Sequence, residues 1–146
     1  MQAAKWFVRI AFTAVFAINV HCALSFVLVP ADFVAAYEIS GIAGEAAIQG
    51  IGIAFLMWNA TYPAFIVAPE RFRVLGWVIL VQQAIGLVGE SLLLANLTNW
   101  TGIAAGHEHL TASITRFVIF DGVGLALMAI AFITLLIVDN SRKQTR

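Results

Sequence analysis

Residues Phe117–Val138 read FVIFDGVGLALMAIAFITLLIV and hold one charged side chain, Asp121. A helix crosses a hydrocarbon layer of about 30 Å with about 20 mainly apolar residues, each rising ~1.5 Å, and this run meets that length. Followed outward, the run extends over Leu110–Val138. Three similar stretches precede it: Trp6–Val29, which stops at Pro30; Glu45–Ala68, which stops before Pro69; and Val74–Leu97. The chain has 146 residues, 62% of them hydrophobic and 11% charged. Soluble domains have about 45–50% and about 25%. A fold of this size buries too little surface to hide the excess in its own core, so the bilayer has to take it. The sequence therefore predicts an all-α, single-domain (1–146) integral membrane protein, a bundle of four transmembrane helices. Formal net charge is zero, which gives no footing for nucleic acid as a partner. One cysteine, Cys22, leaves no disulfide framework.

Orientation follows from Lys and Arg in short segments beside the spans. Lys5 and Arg9 lie at the N-terminus, Arg71 and Arg73 in the middle connector, and Arg142, Lys143 and Arg146 in the tail. The first and third connectors hold Asp32, Glu38, Glu108, His107 and His109 and no Lys or Arg. Four spans place every basic segment on one side, so both termini are expected in the cytoplasm. Trp6, Phe72, Trp77 and Trp100 near span ends suit the interfacial belt. The first span is too long for the core of a signal peptide and carries Arg9, and it is read as a helix of the mature protein. The Ala31–Gly44 connector mixes Phe33, Val34, Tyr37 and Ile39 with Asp32 and Glu38. It reads either as a surface-lying amphipathic segment or as a loop with one helical turn. Gly50, Gly52 and Ala54, Gly86 and Gly89, and Gly122 and Gly124 are expected to mark helix contacts. Pro63 is expected to kink the second span, freeing the carbonyl of Asn59.

Polar groups at membrane depth carry the functional signal, because each ionisable one costs at least ~2.5 kcal/mol on insertion scales. They are His21; Glu45 and Gln49; Gln82, Gln83 and Glu90; and Arg116 and Asp121, with Asn19 and Asn59 as neutral companions. At ~1.5 Å per residue, His21, Glu90 and Asp121 fall roughly 5 Å outside the span midpoints, and Gln49 and Arg116 roughly 11–12 Å outside, all on one side. Glu45, Gln49, Gly52, Leu56 and Asn59 form one helical stripe, as do Gln83, Gly86 and Glu90, and Asp121, Gly124 and Met128. Arg116 precedes Asp121 by five residues, about 140° round the helix, so the two cannot both point straight inward; Arg116 either reaches Glu45 or Glu90 across the bundle or snorkels outward.

Three readings stand on this layer. In one, His21, Gln49, Asn59, Gln83, Glu90, Arg116 and Asp121 line an outward-facing pocket for a small hydrophobic ligand, quinone- or lipid-like. In another, Arg116 pairs with Glu90 and Asp121 and the cluster only locks helix packing, in an accessory subunit of a membrane complex or a homo-oligomer. In the third, Glu90, Asp121 and His21 serve as acid and base on a lipid-like substrate. No cofactor is required. A lone intramembrane histidine excludes bis-histidine haem, and the His107-Glu108-His109 triplet reads as solvated rather than as a metal site. Cys22 in apolar surroundings reads as inert. Asn96-Leu97-Thr98 and Asn99-Trp100-Thr101 match the glycosylation pattern, against the membrane and relevant only in a eukaryote.

Four spans in a chain of this length, a charged outer layer and the stretches Trp58-Asn59-Ala60-Thr61-Tyr62-Pro63, Gln82-Gln83-Ala84-Ile85-Gly86-Leu87-Val88-Gly89-Glu90, Ser113-Ile114-Thr115-Arg116-Phe117 and Phe120-Asp121-Gly122 resemble the DoxX-like small bacterial membrane proteins. The resemblance covers the whole chain at the level of architecture. It implies a bacterial inner-membrane protein in a group where some members are linked to quinone-associated oxidation. The sterol-isomerase-like membrane fold is a second likeness, with five spans against the four counted here. Neither likeness assigns a catalytic residue.

Overall fold

The computed structural model describes residues 2–99 and 106–144, with side chains left undescribed at 98–99 and 142–144. Trp100, the pattern at 99–101, and Arg146 lie outside the described residues, as do the side chains of Thr98, Arg142 and Lys143. The elements are α1 (Gln2–Leu28), a short α2 (Ala31–Val34) running into a 3₁₀ turn (Ala35–Tyr37), α3 (Gly41–Asn59), α4 (Tyr62–Val67), α5 (Arg73–Asn99) and α6 (Glu108–Gln144). Among the described residues there is no strand. Four helical segments are long and apolar enough to cross a membrane: Gln2–Leu28, Gly41–Val67, Arg73–Leu97 and Glu108–Ser141. Between 17% and 28% of the residues in the apolar stretch of each are buried. Ile10, Leu28, Ile42, Val74, Ile85 and Val123 are instead exposed. An apolar exterior on this scale identifies a multi-pass membrane protein, because water would not tolerate it.

The apolar core sits toward the end of the bundle that holds the start of α1, α4 and the last turns of α6. Phe12 and Phe65 lie 4.6 Å apart by ring centroid, and Phe132 meets both Phe65 and Trp77. Ionic ties close this end. Lys5 pairs with Glu70 at 2.6 Å, and Arg73 pairs with Asp139. Arg9 donates from Nη2 to the carbonyl of Val67 at 2.8 Å and from Nε to that of Ile66, so a cation caps the C-terminal end of α4.

Pro63 does more than kink the second span. The helix stops at Asn59 and restarts at Tyr62, with Pro63 in the first turn, where its missing N–H costs nothing. The Ala31–Gly44 connector is one helical turn plus a 3₁₀ turn, and it folds back on the bundle. Phe33 and Tyr37 pack against Phe26, and Ser113 donates to the carbonyl of Ala36 at 2.9 Å. Gly52, Gly86 and Gly124 face neighbouring helices, but Gly50, Ala54 and Gly89 are exposed. Residues two apart on a helix stand about 200° apart, so Gly50 and Gly52 cannot serve one interface.

At the opposite end Glu38 ties the first connector to α6. It takes the left-handed conformation, φ 56°, which is costly for a residue with a Cβ. Its carboxylate accepts from the backbone N–H of Leu110 at 3.1 Å and pairs with His107. Partial burial works to raise the Glu38 carboxyl, but the His107 contact and the α6 amides outweigh it and hold it below the ordinary 4.5. The folded state therefore binds this proton more weakly than the unfolded chain. The resulting stability is full above pH 4.5 and is lost as the pH falls through the lowered folded value. Glu38→Gln should accordingly lower the melting temperature at neutral pH, and the gap from the parent protein should close as the pH drops below 4.5. Paired thermal melts across that range check it; a gap that is constant with pH contradicts it.

Candidate functional site

Each of the four spans sends polar or aromatic residues to one level inside the bundle. α1 supplies Asn19; α3 supplies Phe55, Trp58 and Asn59; α5 supplies Gln83 and Glu90; α6 supplies Phe117 and Asp121. They line a chamber of about 30 Å³. Gln83 and Asp121 are buried, and Gln83 Nε2 donates to Asp121 Oδ1 at 2.8 Å. Asn59 is buried too. Its Nδ2 donates to the Phe55 carbonyl at 2.8 Å, leaving Oδ1 without a hydrogen-bond partner. A Cβ on Gly86 would stand 2.9 Å from both Asp121 Oδ2 and the Trp58 ring, so a side chain at 86 would push the carboxyl or the indole aside.

A wider groove of about 270 Å³ adjoins the chamber, between α1, the first connector and α6. Ile18, Cys22, Phe26, Phe33, Tyr37 and Phe120 make it apolar, and Ser113 and Arg116 mark its polar edge. Asn19 and Phe117 line both spaces and so form the wall between them.

The residues expected from sequence separate into three groups. Asn59, Gln83, Glu90 and Asp121 meet in the chamber. Arg116 is exposed and lines the groove, the outward of its two expected placements; among the described residues it forms no ion pair, so the Arg116–Glu90–Asp121 network of the helix-locking reading does not form. The 140° separation along α6 is the reason. His21 and Gln49 are exposed and line neither space, although Gln49 Nε2 donates to the Val27 carbonyl at 3.2 Å, across α3 and α1. Glu45 and Gln82 are half-buried and also stand outside both.

Sequence reasoning passed over Trp58, Phe55, Phe117, Tyr37 and Phe33 as site residues. For Trp58 and Phe117 the signal is adjacency, since Trp58 precedes Asn59 and Phe117 follows Arg116; Phe55, Tyr37 and Phe33 carry none. Chemically, the chamber presents two carboxyl groups and no cationic side chain, while the groove presents apolar walls and one guanidinium. Neither carboxyl group lines the groove, so acid–base work on a groove-bound molecule would have to pass the wall of Asn19 and Phe117. Comparison of the chain with protein-family profiles, with curated proteins and with solved structures finds no match.

Proposed function

We propose that the chain is a DoxX-like bacterial inner-membrane protein, both termini cytoplasmic, that binds a small amphiphile, quinone- or lipid-like, in the groove between α1, the first connector and α6. One observation carries this reading: a largely apolar groove of about 270 Å³ with a single cation at its edge. Its volume suits a headgroup and the start of a chain, just under the range of ordinary ligand sites. Phe26, Phe33 and Phe120 take the apolar body. Arg116, about 12 Å along α6 from its first residue, takes an anionic or carbonyl-bearing head. The basic residues Lys5, Arg9, Arg71 and Arg73 support the orientation.

Cys22 lines the groove and is the chain's one cysteine, so its alkylation reports occupancy. A short-chain quinone such as decylubiquinone, or a lipid released from the purified protein, should slow labelling by N-ethylmaleimide. Arg116→Gln should weaken that protection about tenfold, through loss of a charge-assisted contact. Labelling that no amphiphile slows defeats the proposal.

A second reading, partnership with another membrane chain or a second copy, draws on α3. Ala43, Ala46, Gly50 and Ala54 fall on one stripe and are exposed, and a Cβ on Gly50 would meet nothing within 4 Å. Small residues of this kind let helices approach closely in lipid. Gly50→Leu should then lower the oligomer mass in detergent while leaving the melting temperature unchanged. Equal masses for parent and variant oppose this second reading.

A further inference from the structure

The chamber holds buried oxygen atoms without a partner, which point to an occupant of its own. Glu90 Oε2 and Asn59 Oδ1 are both buried without a hydrogen-bond partner, and Asp121 uses Oδ1 for Gln83. The orientation of the Asn59 amide is fixed, because the reversed amide would set its oxygen against the Phe55 carbonyl. Asn59 is only 4% exposed, so solvent does not reach its free oxygen. An oxygen buried this way is costly unless something donates to it or is coordinated by it.

Three properties of the chamber select the occupant. The lining holds two carboxyl groups and no Lys, Arg or His, so an anion is excluded and a positive charge is favoured. The unpartnered Trp58 indole N–H cannot ligate a metal, and the lone pairs left to coordinate are on oxygen, which suits a hard cation; no group of three His, Cys, Asp or Glu side chains able to hold a metal occurs among the described residues, which disfavours a borderline transition metal. The volume of about 30 Å³ admits one or two water-sized spheres. That is too small for an organic ammonium, and the oxygens are too few for the six to eight that calcium takes.

We propose that the chamber binds one small alkali cation, of the size of Na⁺, coordinated by Asn59 Oδ1 and the carboxyl groups of Glu90 and Asp121. Gln83 positions Asp121 for this, and the rings of Phe55, Trp58 and Phe117 close the site around the ion. Glycine at 86 leaves the space that Asp121 Oδ2 occupies. The site lies across the Asn19 and Phe117 wall from the groove and uses none of the groove's other residues, so either assignment can fail without the other.

The test is a Na⁺ titration of the full chain in nonionic detergent, with choline replacing Na⁺ at constant ionic strength. The readouts are melting temperature and tryptophan fluorescence, since the indole N–H of Trp58 is buried in the lining without a partner. Na⁺ should raise the melting temperature saturably, by about 3–5 °C at ten times the half-saturating concentration. Asn59→Ala should shift half-saturation upward about tenfold. Glu90→Gln should abolish the response while the protein still melts cooperatively. Glu45→Gln, which removes a carboxyl group from α3 outside the chamber, should leave the response intact. A melting temperature that depends on ionic strength alone, or an undiminished Na⁺ response in Glu90→Gln, overturns the assignment.

Discussion

Gly52→Val should destabilise the protein by about 3 kcal/mol, at the upper end of what overpacking costs. A Cβ at position 52 would lie 2.7 Å from the Ala23 carbonyl oxygen and 2.9 Å from both Phe26 Cβ and Val27 Cγ2. The first of these is helix backbone and cannot rotate away, so α1 and α3 have to separate. Separation also strains the Gln49–Val27 bond between the same helices and displaces Phe26 from the groove wall. Stability and amphiphile binding should therefore fall together. Gly50→Val is the control, because a Cβ there meets nothing. It should stay within about 0.5 kcal/mol of the parent, as ordinary surface changes do. Thermal unfolding of both variants in one detergent measures the difference. Equal melting temperatures would mean that the α1–α3 contact is not the one described.

The spans were legible because length and apolarity report burial in lipid directly. Their ends were less so. α1 starts at Gln2 and α6 continues to Gln144, beyond the apolar runs, because Lys5 and Asp139 find partners in Glu70 and Arg73. Those partners come from a different connector and a different helix, which no local pattern predicts. Faces on one helix were legible for a related reason. Asp121, Gly124 and Met128 are all buried, as the 3.6-residue period requires. Rotation of each helix about its own axis was not legible. Depth places His21 level with the acidic residues and Gln49 in the same outer half, yet azimuth turns both outward, and azimuth is set by packing against neighbours. The first connector shows a third limit. Phe33 and Tyr37 are half-buried against Phe26, a contact that arises only when the chain folds back.

The separation of Arg116 from the two carboxyl groups reorganises the polar layer into two spaces with opposite character. A guanidinium at an apolar groove favours an amphiphile's polar head, and an acid-lined chamber favours a small positive charge. Asn19 and Phe117 touch both. Coupling between the spaces, measured as the dependence of amphiphile affinity on Na⁺, would be reciprocal by necessity.

Gln83→Leu should cost about 2 kcal/mol of stability, and it decides whether the buried polar pair is a structural tie between α5 and α6. Gln83 is 1% exposed and gives its one interhelical hydrogen bond, 2.8 Å long, to Asp121. Leucine has nearly the same volume, so packing changes little, while the Asp121 carboxyl loses its donor in apolar surroundings. Hydrogen bonds between membrane helices average about 0.6 kcal/mol, but a bond to a carboxyl group with no other donor belongs at the strong end. The double variant Gln83→Leu with Asp121→Leu removes both partners and should recover most of the loss, because no polar atom is then stranded. A double-mutant cycle in thermal or denaturant unfolding gives a coupling of about 1.5 kcal/mol if the bond is made as described. A coupling near zero would show that Asp121 holds its position without Gln83. Both the helix tie and the preorganised chamber would then lose their basis, since each requires the same donor on the same oxygen.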